Sequence, residues 1–224
     1  MKKILSSVLS IVLSIFFVIT PIGAKVLDIN EQFIELQNKV TSVLNVSNNR
    51  YVYSEQEVVN VIKNENFDFD ELNKKYGTSY SEDSFIKLAL HNIENAKLGI
   101  QYFNEDTVCT YGTYCGRNAV EEGWNYFRFY YNKTETTTKV YQLRNLANNW
   151  TLVAAAGQFA NYVPGLGTAI AVGIAAGAGW NAWYATSLSN AMEYNNTFSG
   201  CGTVTDINKF TTVYSCYNQS NFNA

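Results

Sequence analysis

Residues 145–192 read NLANNWTLVAAAGQFANYVPGLGTAIAVGIAAGAGWNAWYATSLSNAM, 48 positions without a charged residue, closed by Arg144 on one side and Glu193 on the other. Pro164-Gly165 divides the run, because proline disfavours helix at the residue before it and glycine turns cheaply. The two arms, 145–163 and 166–192, would each be about 28 to 40 Å long as helices, comparable to the ~30 Å hydrocarbon core of a bilayer. The stretch therefore predicts a hydrophobic helical hairpin with Pro164 and Gly165 at its tip. Gly165, Ala169, Gly173 and Gly177 recur every four positions in the second arm. Such a row flattens one helix face and lets another backbone approach closely, as in membrane helix pairing. Trp180, Trp183 and Tyr184 follow it as amphipathic aromatics do at a membrane interface. A helix that is apolar on all sides fits equally well as the buried central pair of a soluble helical domain.

Towards the N-terminus, residues 1–24, MKKILSSVLSIVLSIFFVITPIGA, have the three parts of a secretory signal peptide. Lys2 and Lys3 give the positive start, Ile4 to Ile19 the apolar stretch, and Pro21 to Ala24 the small residues for cleavage. The chain is therefore expected to be secreted. From Val26 to Asp106 there are 14 acidic and 7 basic residues, a net of −7, whereas Thr107 to Ala224 carry 5 and 6, a net of +1. The expected organisation is an acidic helical leader or N-terminal domain over 25–106 and a cysteine-flanked hydrophobic domain over 107–224.

The acidic half reads as short amphipathic helices. Phe33, Leu36, Val40, Val43 and Leu44 repeat at helical spacing. Ser54 with Glu57 three residues on is a capping-box pattern ahead of Val58 and Ile62. Asp68 to Tyr76 is another short helix, stopped by Gly77, and Ser81 opens a longer one. Val120 to Tyr131, dense in aromatics, reads as a few helical turns or a strand, with the mixed period left by Gly123 and the charged residues favouring helix, and Thr134 to Thr138 as a polar break. At the C-terminal end, residues 202–206 and 210–215 alternate as two short strands of a hairpin. Mainly α is thus the expected class, with a small disulfide-closed β-hairpin at the end.

All four cysteines, Cys109, Cys115, Cys201 and Cys216, lie in the exported part. An even number in a secreted chain reads as two disulfides, and of three pairings the local loops Cys109–Cys115 and Cys201–Cys216 are favoured. No metal site is expected, since there is no CxxC pair and His91 is the sole histidine. Catalytic motifs are absent: no GxSxG, HExxH or GxxxxGK[ST] occurs. Gly165-Leu-Gly lacks the third glycine of a dinucleotide fingerprint. Glu121-Glu122 reads as a solvated pair. No basic stripe points to nucleic acid. The expectation is a protein that is not an enzyme and holds no cofactor.

The layout resembles the larger secreted bacteriocin-like proteins of Gram-positive bacteria, of the perfrin and geobacillin type, and more distantly the killing-factor precursor of sporulating bacilli. The resemblance lies in the whole architecture together with VPGLGTAIAVGIAAGAGW at 163–180 and CGTVTDINKF at 201–210. It implies an exported antibacterial protein that permeabilises a target-cell membrane, with a separate immunity protein as partner. With a net of only +1 in the C-terminal half, electrostatic recruitment to anionic lipid would be feeble. The alternative is a non-catalytic secreted surface or interaction protein whose apolar hairpin is only its structural core.

Overall fold

The computed structural model describes residues 28–103, 116–163, 165–175 and 180–219. The signal peptide, Cys109, Cys115, Pro164 and Gly177 lie outside the described residues. Four helices come first: α1 (Ile29–Ser42), α2 (Glu55–Asn64), α3 (Phe69–Tyr76) and α4 (Glu82–Asn95), with a two-stranded hairpin of β1 (Asn45–Ser47) and β2 (Arg50–Val52) after α1. Each helix starts on a side-chain oxygen that accepts a bond from an otherwise unpaired N–H of the first turn: Asp28, Ser54, Asp68 and Ser81. Gly77 ends α3 in the left-handed conformation. Phe33, Leu36, Val40, Val58, Ile62, Leu72, Phe85 and Ile93 form their common core.

A five-stranded antiparallel sheet follows, ordered β3 (Lys97–Tyr102), β4 (Ala119–Glu122), β5 (Tyr126–Tyr131), β6 (Thr203–Asn208) and β7 (Tyr214–Asn218). This sheet corrects the mainly α expectation. Residues 120–131 are not helical: they are β4, a turn and β5. The aromatic run conceals an alternation, since Phe127, Phe129 and Tyr131 pack into one core while Tyr126, Arg128 and Tyr130 point the other way. Bulky aromatics suit a pleated surface covered on both sides. Strands β6 and β7 pair as a hairpin, but as two of five strands and not as a free-standing unit.

Between β5 and β6 the chain makes α5 (Lys133–Asn148), α6 (Trp150–Ala156), α7 (Phe159–Tyr162), α8 (Leu166–Ala175) and α9 (Ala182–Phe198). The expected polar break at 134–138 is the first turns of α5. Asn132 caps it by accepting from the Glu135 N–H, and Thr137 and Thr138 donate to carbonyls one turn back. Thr136 is buried, donating to the Tyr131 carbonyl and sharing a bond with Thr203. The expected two-armed hairpin does not form. Asn149, a left-handed Gly157 and Val163 interrupt the first arm, and the second divides into α8 and α9. At about 15 Å, the ten-residue α8 is half a bilayer core in length. No helix among the described residues is long and apolar enough to cross a membrane.

The helices α5 to α9 cover one sheet face, burying Val140, Leu143, Val153, Phe159, Val163, Leu166, Ile170, Leu188 and Met192 against Phe127, Phe129, Tyr131 and Ile207. The four N-terminal helices abut one end of the sheet instead. Trp124 and Phe210, from the β4–β5 and β6–β7 turns, enter their core. Polar ties fix that junction: the Trp124 indole donates to Thr41 and the Tyr80 hydroxyl to the Phe210 carbonyl.

The Cys201–Cys216 disulfide is also corrected. Register sets Cys216 opposite Thr205, four residues beyond Cys201. Along a strand that is about 13 Å, against the ~7 Å that a disulfide can span. The two sulfurs are not bonded to each other, and Cys216 accepts a weak bond from the Thr205 hydroxyl at 3.6 Å.

Candidate functional site

The helix α9 carries two kinds of face. Tyr184, Ala185, Leu188, Ser189 and Met192 are buried towards the sheet. Polar groups hold the helix at both sides: Ser187 shares a 2.6 Å bond with the Tyr214 hydroxyl, and Asn195 donates to the Cys216 carbonyl. On the α5 side, Arg144 makes a paired contact with Glu193 and also donates to Asn190. That guanidinium holds the Glu193 carboxyl below the usual carboxylate range. The outward stripe carries Trp183, Tyr194 and Phe198, which are 74%, 67% and 67% exposed. Tyr194 and Phe198 meet edge to face at 5.0 Å. Spaced by eleven and four residues, the three lie on one helix face and span about 22 Å. Leu152 on α6 and Tyr141 on α5 are likewise exposed.

Of the eight residues expected to carry membrane activity, the six that are described are therefore divided between the core and the surface. Trp183 alone among the aromatics faces outward. Trp180 and Tyr184 are buried and in contact, with ring centroids 3.9 Å apart, and the Tyr184 hydroxyl donates to the Thr212 carbonyl. Burial pushes the Tyr184 phenol well above its ordinary value. Ala169 is buried in the core. The close approach expected of the small-residue row does occur at Gly173, but the visitor is an indole: a Cβ there would lie 1.9 Å from Trp180 Nε1. Gly165 takes a positive φ of 87° beside Tyr131 and Phe103. Sequence reading missed Tyr194 and Phe198, although their spacing from Trp183 on a helix was available as a signal.

The attachment of α8 differs in kind from that of α9. Among the described residues, no side chain from Trp150 to Ile174 makes a hydrogen bond or ion pair, and the contacts of α6 to α8 with the core are apolar. Two buried polar atoms beneath α8 have no hydrogen-bond partner among the described residues: Tyr131 Oη, near Gly165, and Trp180 Nε1, against Gly173. Such an orphan costs about 1–3 kcal/mol relative to a solvated or paired one. Burial also pushes the Tyr131 phenol well above its usual value.

The opposite sheet face is polar and closed upon itself. Arg128 binds Asp206 through two contacts of 2.6 and 2.9 Å, and the Tyr126 and Tyr130 hydroxyls donate to Glu121 at 2.7 and 3.1 Å. Burial, reinforced by Glu121, pushes the Tyr130 phenol up to about 12. Glu121 and Glu122 thus point to opposite faces and are not a solvated pair: Glu122 accepts from buried Lys209 at 2.8 Å. Burial lowers the Lys209 pKa, while Glu122 acts to raise it. Every one of these ions faces a counter-ion. Exposed His91 lies beside the Asn95 amide. No cluster of three metal-ligating side chains exists among the described residues.

Protein-family models, curated proteins and solved structures give no match to this chain.

Proposed function

We propose that the protein is a secreted bacteriocin-like antibacterial protein that permeabilises a target membrane, reaching it through the aromatic stripe of α9. The observation that carries this reading is the outward row of Trp183, Tyr194 and Phe198, flanked by a charge-free segment whose described residues pack into an apolar core. Trp and Tyr favour the headgroup boundary, where the ring is in an apolar setting and its polar tip remains wet. The stripe adds no net charge, because Arg144 and Glu193 neutralise each other. Contact is thus expected with neutral lipid as well as anionic lipid, with little dependence on salt. A preformed hairpin plays no part; α6 to α8 are stored on the sheet and deliver apolar surface once docked.

The test is calcein leakage and co-sedimentation with phosphatidylcholine vesicles. Replacing both Trp183 and Phe198 by alanine should leave folding intact and lower vesicle affinity by roughly tenfold or more, the loss of two interfacial aromatics. Leakage equal to that of the parent protein would sink the stripe's role. A second reading is supported by the burial of Val153, Phe159, Leu166 and Ile170 in the sheet–helix core. On it the protein is a non-catalytic secreted interaction protein, and no vesicle would leak at any concentration.

A further inference from the structure

Strand β3 forms one edge of the five-stranded sheet and is irregular. Lys97 lies opposite Glu122 and Gln101 opposite Val120, so Leu98, Gly99 and Ile100 face a single residue of β4. The strand bows outward there, with Gly99 at a positive φ of 91°. Beside the bow stand the tip of the β1–β2 hairpin, where Asn48 and Asn49 both adopt left-handed backbone, and the carbonyl end of α4. Together they enclose an open cleft of about 670 Å³. That volume lies within the range of small-ligand pockets.

The chemistry of the cleft is mixed in a specific way. Arg50, Lys97 and the asparagine amides donate. Glu94 and the amide oxygens accept, and the last turn of α4 ends here with carbonyls that have no partner within the helix. Asn49 lies over Gly99, its amide 3.7 Å from where a Cβ would stand. Leu98, Gly99 and half-exposed Ile100 add an apolar floor. Arg50 and Lys97 stand against Glu94 and the negative end of the α4 dipole, so the cleft offers charges of both signs and no site of one sign. An extended peptide would need a regular edge to pair with, and the bulge at 98–100 removes it. A ligand that donates and accepts from each group, is neutral, and has a C–H face satisfies all three constraints.

We infer that this cleft binds a neutral saccharide, its C–H face against Leu98 and Ile100 and its hydroxyls on the Asn49 amide, Arg50 and Glu94. The site lies apart from the α9 stripe and serves recognition of a glycosylated surface, independently of lipid contact. The experiment is amide-resolved NMR titration of the purified protein with chitotriose and with maltotriose. At least one should shift the amides of Asn48, Asn49, Gly99 and Gln101, with affinity unchanged between low and high salt. Asn49→Gly keeps the turn, since Asn-Gly is the favoured pair for two left-handed positions, and should weaken binding about tenfold, as loss of an amide contact does. Glu94→Gln should weaken it further while the spectrum stays folded. Absence of shifts at about 10 mM of either sugar, or equal binding by Asn49→Gly, overturns the inference. So does displacement of the same amides by inorganic phosphate in place of sugar. Vesicle leakage by Asn49→Gly should match the parent protein, so a failed titration with intact leakage counts against the cleft alone.

Discussion

Gly173→Ala tests how α8 is held. The added methyl would lie 1.9 Å from Trp180 Nε1, 2.2 Å from its Cδ1 and 2.7 Å from Thr212 Cγ2. All three are below any real carbon contact, and the indole is 6% exposed, so it has no free direction in which to yield. Overpacking of this kind costs about 1–3 kcal/mol. Against it stands the helix preference of alanine over glycine, about 0.5–1 kcal/mol. The net expectation is roughly 1–2 kcal/mol of destabilisation, or about 2–8 °C in Tm for a chain of this size. Displacing Trp180 also parts it from Tyr184 and brings its unpaired N–H towards water. Its emission should therefore shift to the red in the folded state. The assay is thermal unfolding by circular dichroism together with tryptophan emission below the transition. A variant that melts at or above the parent temperature, with unshifted emission, would refute the packing argument. If release of α8 admits the protein to lipid, the same variant should leak vesicles about five- to thirty-fold faster, the factor that 1–2 kcal/mol represents.

Other outcomes follow from the buried titratable groups. Tyr130, Tyr131 and Tyr184 have phenol pKa values raised by burial, Tyr130 to about 12. In each case the unfolded chain loses its proton first, near pH 10. The stability is therefore fully present below pH 10 and falls as pH rises from 10 towards 12, so phenolate absorbance at 295 nm should rise together with loss of the far-ultraviolet signal. The part of that rise owed to the buried phenols should come only with unfolding, and full phenolate absorbance in a protein that keeps its far-ultraviolet signal near pH 10 would contradict it. Cys216, its thiol pushed up to about 11 by burial, should react with a maleimide at pH 7.5 far more slowly in the native protein than in urea. Non-reducing peptide mapping should yield no fragment joining Cys201 to Cys216, and recovery of that fragment would overturn the register in β6 and β7.

Much of the N-terminal half was legible because its signals are local. Asp28, Ser54, Asp68 and Ser81 each stand one residue ahead of a helix, and Gly77 stands just past one. The sheet was hidden for the opposite reason. Phe127, Phe129 and Tyr131 face one core, but Tyr126 and Tyr130 on the other face are also aromatic, so hydrophobicity along β5 does not alternate. Arg128 is the one polar mark, and the nearer of its two carboxylate partners, Asp206, lies 78 residues away. The threonines of α5 read as a break because their hydroxyls compete with helix. In place, those hydroxyls bond back one turn or reach Thr203. In the charge-free run, hydrophobicity was legible but its destination was not, since lipid and a sheet face make the same demand on a side chain. Of the expected site residues that are described, Trp183 alone among the aromatics is exposed, because the partners that bury Trp180 and Tyr184 include residues as distant as Thr212.

Whether α8 opens by itself or only on lipid is decided by magnitudes. Uncovering Val153, Phe159, Val163, Leu166 and Ile170 to water costs about 1.5–3 kcal/mol each, or roughly 8–15 kcal/mol together. Solvating Tyr131 Oη and Trp180 Nε1 returns about 2–6 kcal/mol. The remaining cost is comparable to the whole stability of an ordinary domain, about 5–15 kcal/mol. In water, then, the segment stays closed. On the proposed reading, acyl chains cover both the helices and the sheet face they leave, so the large term nearly vanishes, lipid being as apolar as the core it replaces, and the orphaned polar atoms and the wet headgroup contacts of α9 would then tip the balance. Hydrogen exchange in buffer should accordingly show the α8 amides protected nearly as well as those of β5. With phosphatidylcholine vesicles added, protection at β5 should fall, since Phe127, Phe129 and Tyr131 lose the helices that cover them. Rapid exchange of α8 in buffer would mean that the segment opens without lipid. Leakage with β5 protection unchanged would mean that the sheet keeps its cover, and the apolar segment would then be core and nothing more.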